Sequence, residues 1–216
     1  MRGLLITFEG IDGSGKSTIL GLLATRLNDA VPGRQFVFTA EPTTGEVGKI
    51  LRKHLSETSS CNDEASSARR MEELFLFMAD HADHLCETVI PALQKGHIVI
   101  SDRYSDSTAA YQGVTLRGIV DDPVEWISNI CRPWNVRPDL TIVFAVDPAQ
   151  ALRRIELRAS AEKFEREEFL KVVDENFRRL AKKEPERFVI VDASQRIEDV
   201  AEEALSMILE KIELSA

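Results

Sequence analysis

The chain has 216 residues, 44% of them hydrophobic and 29% charged, the composition of a globular protein with one substantial core. Lys plus Arg total 27 against 36 for Asp plus Glu, a net charge of −9 that argues against a nucleic-acid binder but allows a small phosphorylated ligand held by a few local cations. Three cysteines, far apart and without a CxxC pair, suit a reducing cytoplasm and give no zinc site, and no apolar run reads as a signal peptide or a bilayer span.

The first predicted element is a strand at "GLLITFEG", aliphatic on both faces as in a buried parallel sheet. A phosphate-loop pattern, GxxxxGK(S/T), follows at once, and a helix is predicted over 17–29. A second strand, "QFVFTAEP", leads to helices over 45–55 and roughly 64–95. "HIVISDRY" is the third strand, running into polar residues, with a helix over 121–131. "LTIVFAV" is the fourth, before a helical stretch over 148–183 broken near 158–164. "RFVIVDA" is the fifth, before a helix over 196–213. Five such strands separated by helices predict an α/β fold with a parallel sheet, ligands sitting at the carboxyl ends of the strands, in a single domain spanning 1–216.

Two segments carry chemistry. In the loop, Gly10, Gly13 and Gly15 let the backbone turn its N–H groups inward around oxygen atoms. Lys16 adds a positive charge, Ser17 offers a hydroxyl to a magnesium ion, and the helix that follows presents its positive end. With Ile11, Asp12, Ser14 and Thr18 these residues predict a site for the phosphates of ATP or GTP. A GTPase switch is disfavoured, because no NKxD-like guanine reader is present. At the end of the third strand, Asp102 is placed to hold magnesium or its waters, while Arg103 beside it would welcome a second phosphate. Adjacent carboxylate and guanidinium groups at a strand end are hard to reconcile with a site for one nucleotide.

"DRYSDSTAAYQG" resembles the signature of thymidylate kinases, and "FEGIDGSGKST" is similar to their phosphate loop. "TAEPTTGEVGKILRKHL", "RPDLTIVFAVDPAQAL" and "VIVDASQRIEDV" resemble further segments of that family, in order over nearly the whole chain. The resemblance implies a P-loop nucleoside monophosphate kinase fold, five parallel strands with helices on both faces and a short lid near 153–166. It implies transfer of the γ-phosphate of ATP to dTMP, giving ADP and dTDP, by a cytoplasmic homodimer using Mg2+, with Ser17 and Asp102 at the metal. Lys16, Asp102, Arg103 and the lid cations Arg158 and Lys163 would be catalytic. Asp12 would bind the deoxyribose 3′-OH, and Glu41 with a cis Pro42 would shape the acceptor site. Arg52 and Arg103 would hold the dTMP phosphate. Phe77 would stack on the base, with Ser107, Thr108 and Gln112 near it, the last two one helical turn apart. Tyr111 would exclude a 2′-OH.

The chain also departs from the family pattern. Gly13 stands where some relatives carry a loop arginine, Ala40 where "TREP" is usual, and Lys163 where a lid arginine is expected, with Arg153 and Arg154 as alternatives. His81 replaces the arginine that reads the base edge. His81 and His84, three apart, could suggest a metal, but no converging carboxylate or thiol is visible in the sequence, so none is expected there. Two rivals remain open on the residues alone, a kinase for dUMP, dCMP or a nucleoside, and a P-loop ATP-binding regulatory protein without transfer activity.

Overall fold

The structure, a computed structural model, describes residues 3–58, 66–156 and 167–215. The five predicted strands are β1 (Leu4–Glu9), β2 (Phe36–Ala40), β3 (Ile98–Asp102), β4 (Leu140–Ala145) and β5 (Phe188–Asp192). They form one parallel sheet in the order β2-β3-β1-β4-β5. All of β1 and β3 is buried, as their unbroken aliphatic runs require. Side chains alternate across the sheet. Leu4, Ile6 and Phe8 join the larger core cluster, whereas Leu5 and Val99 pack with Leu85, Val89 and Leu93 in a second one.

Apart from the helix Ser105–Thr115, which no predicted stretch covers, the helices follow the predicted order with ends shifted by a residue or a few. They are α1 (Lys16–Ala30), α2 (Glu46–Thr58), α3 (Ser67–His84), α4 (Ile90–Gln94), α5 (Ser105–Thr115), α6 (Pro123–Cys131), α7 (Pro148–Glu156), α8 (Glu167–Lys183) and α9 (Ile197–Glu213). The stretch expected as one helix over 64–95 is realised as α3 and α4 joined by a π-helical turn, Leu85–Val89. Pro91 lies in the first turn of α4 and cannot donate a backbone hydrogen bond, so the wider turn ahead of it absorbs the mismatch. The break expected near 158–164 falls outside the described residues.

α5 is longer than the single turn anticipated at Thr108–Gln112. Residues 105 to 113 are all buried, so the helix has no solvent face and shows little amphipathic periodicity. Asp106 in its first turn and Arg187, just before β5, make a bidentate pair, Nη1 to Oδ2 at 2.7 Å and Nη2 to Oδ1 at 2.9 Å. Nη1 also donates to Thr141 Oγ1 at 2.8 Å, which ties α5 to the edge of the sheet. Both side chains are more than nine-tenths buried. Removing one partner would strand the other's charge, so Arg187→Met is expected to cost about 3–5 kcal/mol of unfolding free energy. Urea titration measures it, and a loss under 1 kcal/mol would contradict the assignment.

Register decides where chemistry can occur. Phe8 and Ala40 both lie opposite Asp102, so the ends of β1, β2 and β3 are level. Residues 9–10, 40–41 and 102–103 therefore open together onto the carboxyl edge of the sheet. Among the described residues no helix is long and apolar enough to cross a membrane.

Candidate active site

At that edge lies a cleft of about 250 Å³, lined by Asp12, Gly13, Gly15, Lys16, Ser17, Ala40, Glu41, Asp102 and Arg103. The two segments singled out in the sequence, far apart along the chain, face each other across it.

The phosphate loop is shaped by close approach. Gly13 has φ 79°, and a Cβ there would lie 2.4 Å from the Ala151 carbonyl oxygen of α7; at Gly10, with φ 131°, it would lie 2.6 Å from that of Phe144. Only glycine fits at either point without moving backbone. Gly13 is thus demanded by α7, which leaves no room for a side chain at that place in this chain. Arg154 braces the same contact, donating to Gly13 O at 3.3 Å and Ala193 O at 3.1 Å.

Lys16 is buried and turned back on its own loop. Its ammonium donates to Gly10 O at 3.0 Å, Ile11 O at 2.9 Å and Ser14 Oγ at 3.2 Å. Burial, together with repulsion from Arg103, pulls its pKa down to about 8 against the attraction of Asp102, Asp12 and Glu9. An ammonium depressed in this way gains strongly from polyanionic oxygens. At the head of α1 the Ser17 hydroxyl donates to Asp102 Oδ2 across the cleft. A hydroxyl and a carboxylate so placed are the few hard oxygen donors Mg2+ takes from protein when phosphates and water complete its shell.

Arg103 has φ 72°, a left-handed conformation that few non-glycine residues adopt, and its N–H donates to Phe8 O at 2.9 Å. The strained turn aims the side chain under the loop. Its guanidinium bonds Gly10 O at 3.2 Å and Ser107 Oγ at 3.0 Å, pairs with Asp12, and lies 5.0 Å over the Tyr111 ring. Tyr111 accepts from Asp12 N at 2.9 Å and donates to Asp12 Oδ2 at 3.0 Å. Burial would raise the Asp12 pKa, but the charges of Arg103 and Lys16 outweigh it and hold the carboxyl below its usual range.

Sequence reasoning missed Glu9. This carboxylate at the end of β1 is fully buried and accepts from Tyr104 N at 2.9 Å, Ser107 N at 3.2 Å and the Ser107 hydroxyl. It caps α5 from outside the helix and so fixes the turn that carries Arg103. Burial, and then the charge of Asp106, push its pKa up to about 8 against the pull of the Ser107 bond, Arg103 and Lys16. The signal was in plain sight, an acidic residue ending a strand buried on both faces.

The expected acceptor residues are distributed unevenly. Glu41 lines the cleft, and its bond to Pro42 is cis. Arg52 is turned onto the loop beside it, donating to Pro42 O at 3.1 Å and Thr43 O at 2.6 Å. Phe77 is half-buried. Ser107, expected near the base, instead lies buried between Glu9 and Arg103. Thr108 is buried too, and Gln112 is fully buried, donating to Glu73 Oε1 at 3.1 Å. Arg158 and Lys163 lie outside the described residues.

His81 departs furthest from expectation. It is 2% exposed, with Nδ1 2.7 Å from Glu41 Oε1 and Nε2 3.0 Å from Asn135 Oδ1, so neither ring nitrogen is turned to a base. The carboxylate that the sequence did not reveal does converge. Glu41, His81 and His84 bring possible ligand atoms within 4.8 Å of one another. Hydrogen bonds engage every ring nitrogen of the two histidines without a metal.

A cleft with a phosphate loop on one wall and a carboxylate–arginine pair on the other suits two phosphorylated ligands meeting end to end. Comparison with known proteins agrees. The family model for thymidylate kinase matches residues 8–204. The chain belongs to the thymidylate kinase family. A probable thymidylate kinase of Methanococcoides burtonii is 46% identical over 99% of this chain and 100% of its own length. One of Methanosarcina acetivorans is 48% identical over 99% and 98%. The crystal structure of thymidylate kinase from Ehrlichia chaffeensis superposes with a TM-score of 0.72 at 28% identity, covering 96% of this chain and all of that one. The protein is thus an enzyme of the thymidylate kinase type on the P-loop nucleoside monophosphate kinase fold.

Proposed function

We propose that this thymidylate kinase transfers the γ-phosphoryl group of ATP, with Mg2+, to the 5′-phosphate of dTMP, giving ADP and dTDP. One observation carries the reading most: Arg103 reaches from the end of β3 to Asp12 inside the phosphate loop, so a second anion-binding cation stands beside the first.

ATP phosphates would lie in the loop, drawing the Lys16 ammonium off Gly10 O and Ile11 O onto phosphate oxygens. Ser17 and Asp102 would hold Mg2+, which when bound spreads charge from the phosphate oxygens. Arg103 and Arg52 would take the dTMP phosphate. An oxygen of that phosphate forms the new bond to γ-phosphorus as the bond to the ADP oxygen breaks. The attacking group is already an anion near neutral pH, so no general base is required. The protein supplies alignment and positive charge, the main needs of phosphoryl transfer. Arg158 and Lys163 are proposed to add charge from the lid. Asp12 would also meet the sugar 3′-OH, and Tyr111, bonded to it, would leave no room for a 2′-OH. Phe77 would stack on the base, with Thr108 and Gln112 behind it. The assembly proposed is a cytoplasmic homodimer; Ile50 and Phe75, exposed at 57% and 54% on the adjoining helices α2 and α3, support a covered surface there.

The test is ADP formation from Mg-ATP with dTMP, dUMP, dCMP and the ribonucleotide of thymine offered one at a time. The highest kcat/KM is expected for dTMP, and the ribonucleotide is expected to be the poorest. A higher value for dUMP or dCMP, or no ADP with any of them, contradicts the proposal.

A further inference from the structure

Glu41 is the one acidic group of the cleft wall that continues β2, and an anionic acceptor must approach it. Its Oε1 is 2.7 Å from Nδ1 of His81 and 2.7 Å from Nδ1 of His84. All three side chains are more than nine-tenths buried. A buried carboxylate is tolerated when it is paired and hydrogen-bonded. The far side of each ring decides which one carries the charge.

His84 Nε2 is 2.8 Å from the Thr39 hydroxyl, which can donate, so a neutral ring with its proton on Nδ1 satisfies both neighbours. His81 is different. Its Nε2 meets Asn135 Oδ1, an oxygen that can only accept, because the Nδ2 of that amide is used on Ser105 Oγ at 2.8 Å. Its Nδ1 meets the Glu41 carboxylate, which also only accepts. With the amide in this orientation, both ring nitrogens carry protons.

We propose that His81 is a positioning residue of the acceptor site, an imidazolium held between Glu41 and Asn135 that cancels the Glu41 charge and fixes that carboxylate so that an anionic acceptor can reach Arg103. This rests on the reading of the cleft as a phosphoryl-acceptor site. It replaces the expectation that residue 81 reads the base edge.

The surroundings agree in sign. Burial would depress the His81 pKa, but the charge and bond of Glu41, the bond to Asn135 and the charge of Asp80 outweigh it and raise the pKa above 6.5. The Glu41 carboxyl is raised by burial and held low overall by His81 and His84. The other groups facing the ring are Tyr104, edge-on at 4.5 Å, and Trp134 at 5.4 Å. The Cys131 thiol at the end of α6 is pushed up to about 11 by burial and then by Glu41 and Asp106, so it stays neutral. The imidazolium's contribution to stability is complete below pH 6.5 and is lost as pH rises through its raised folded value.

Imidazole ¹⁵N spectra of the whole protein at pH 7 test the charge independently of turnover. The expected result is the doubly protonated pattern for His81 and the Nδ1–H pattern for His84. A neutral His81, which would need the Asn135 amide reversed, overturns the proposal even if dTMP is a good substrate. So does a divalent ion found at one per chain with both Nδ1 atoms bound to it. Kinetics test the positioning. His81→Asn keeps a donor to Glu41 but loses the charge, and is expected to raise KM for dTMP about tenfold or more with KM for ATP unchanged. In wild type, KM for dTMP is expected to rise as pH passes through the raised pKa of His81, and His81→Arg, which keeps its charge, is expected to abolish that rise while retaining a low KM. Ionisation of dTMP itself is common to all three proteins and cancels. An identical pH profile in wild type and His81→Arg refutes the positioning role. If His81→Asn does not fold, the ¹⁵N spectra and the wild-type profile still decide.

Discussion

Lys16→Met is expected to lower kcat by a factor of about 10²–10³, the usual effect of removing one preorganised donor from developing charge. Methionine keeps the length and apolar stem of the side chain and deletes only the ammonium. If the Lys16 charge served phosphates alone, the fold would not feel the change. The structure alters that expectation. The ammonium holds Gly10 O, Ile11 O and Ser14 Oγ, so its loss leaves buried acceptors short of a donor. A stability loss of about 1–3 kcal/mol should accompany the kinetic defect. Turnover of the folded variant, checked by circular dichroism, separates the two effects. Near-normal kcat would remove the loop from the reaction.

Arg103→Ala is expected to lower kcat/KM for dTMP roughly ten- to a hundredfold, with KM for ATP little changed. A charge-assisted bond to phosphate is worth about 1.5–3 kcal/mol, and Asp12 also loses its partner. The backbone complicates alanine at this position, because φ 72° is strained for any residue with a Cβ. Arg103→Gly adopts that conformation without strain and should show the same selective defect with less loss of stability. A rise in KM for ATP as large as that for dTMP, in both variants, would move Arg103 to the donor site.

Much of this was legible in the sequence because it is local. Aliphatic runs such as "LTIVFAV" have little choice but to be buried parallel strands, and the loop glycines announce a backbone that must wrap around something. The turn at Asp102–Arg103 was visible for the same reason, as polar residues beginning abruptly where a buried strand ends. What stayed hidden depends on partners distant along the chain. Arg187 finds Asp106 across 81 residues, and His81 finds Asn135 across 54. No spacing rule predicts either. α5 was largely missed because periodicity reports a boundary between core and water, and a helix buried on every side has no such boundary. The contacts of Lys16 with its own loop were missed because the motif identifies the lysine by its charge and says nothing of its partners in the protein. His81 was assigned by its place in the pattern, whereas its chemistry follows from the atoms around it.

Under the proposed function, one cleft brings two phosphates together and moves a phosphoryl group between them. The most direct measurement follows the label from ATP carrying ³²P in its γ-phosphate, mixed with Mg2+, dTMP and the enzyme, and separates the nucleotides. Label is expected in the terminal phosphate of dTDP, matched by ADP in equal amount. Label released as inorganic phosphate, or left in ATP while the nucleotide is bound, would contradict it.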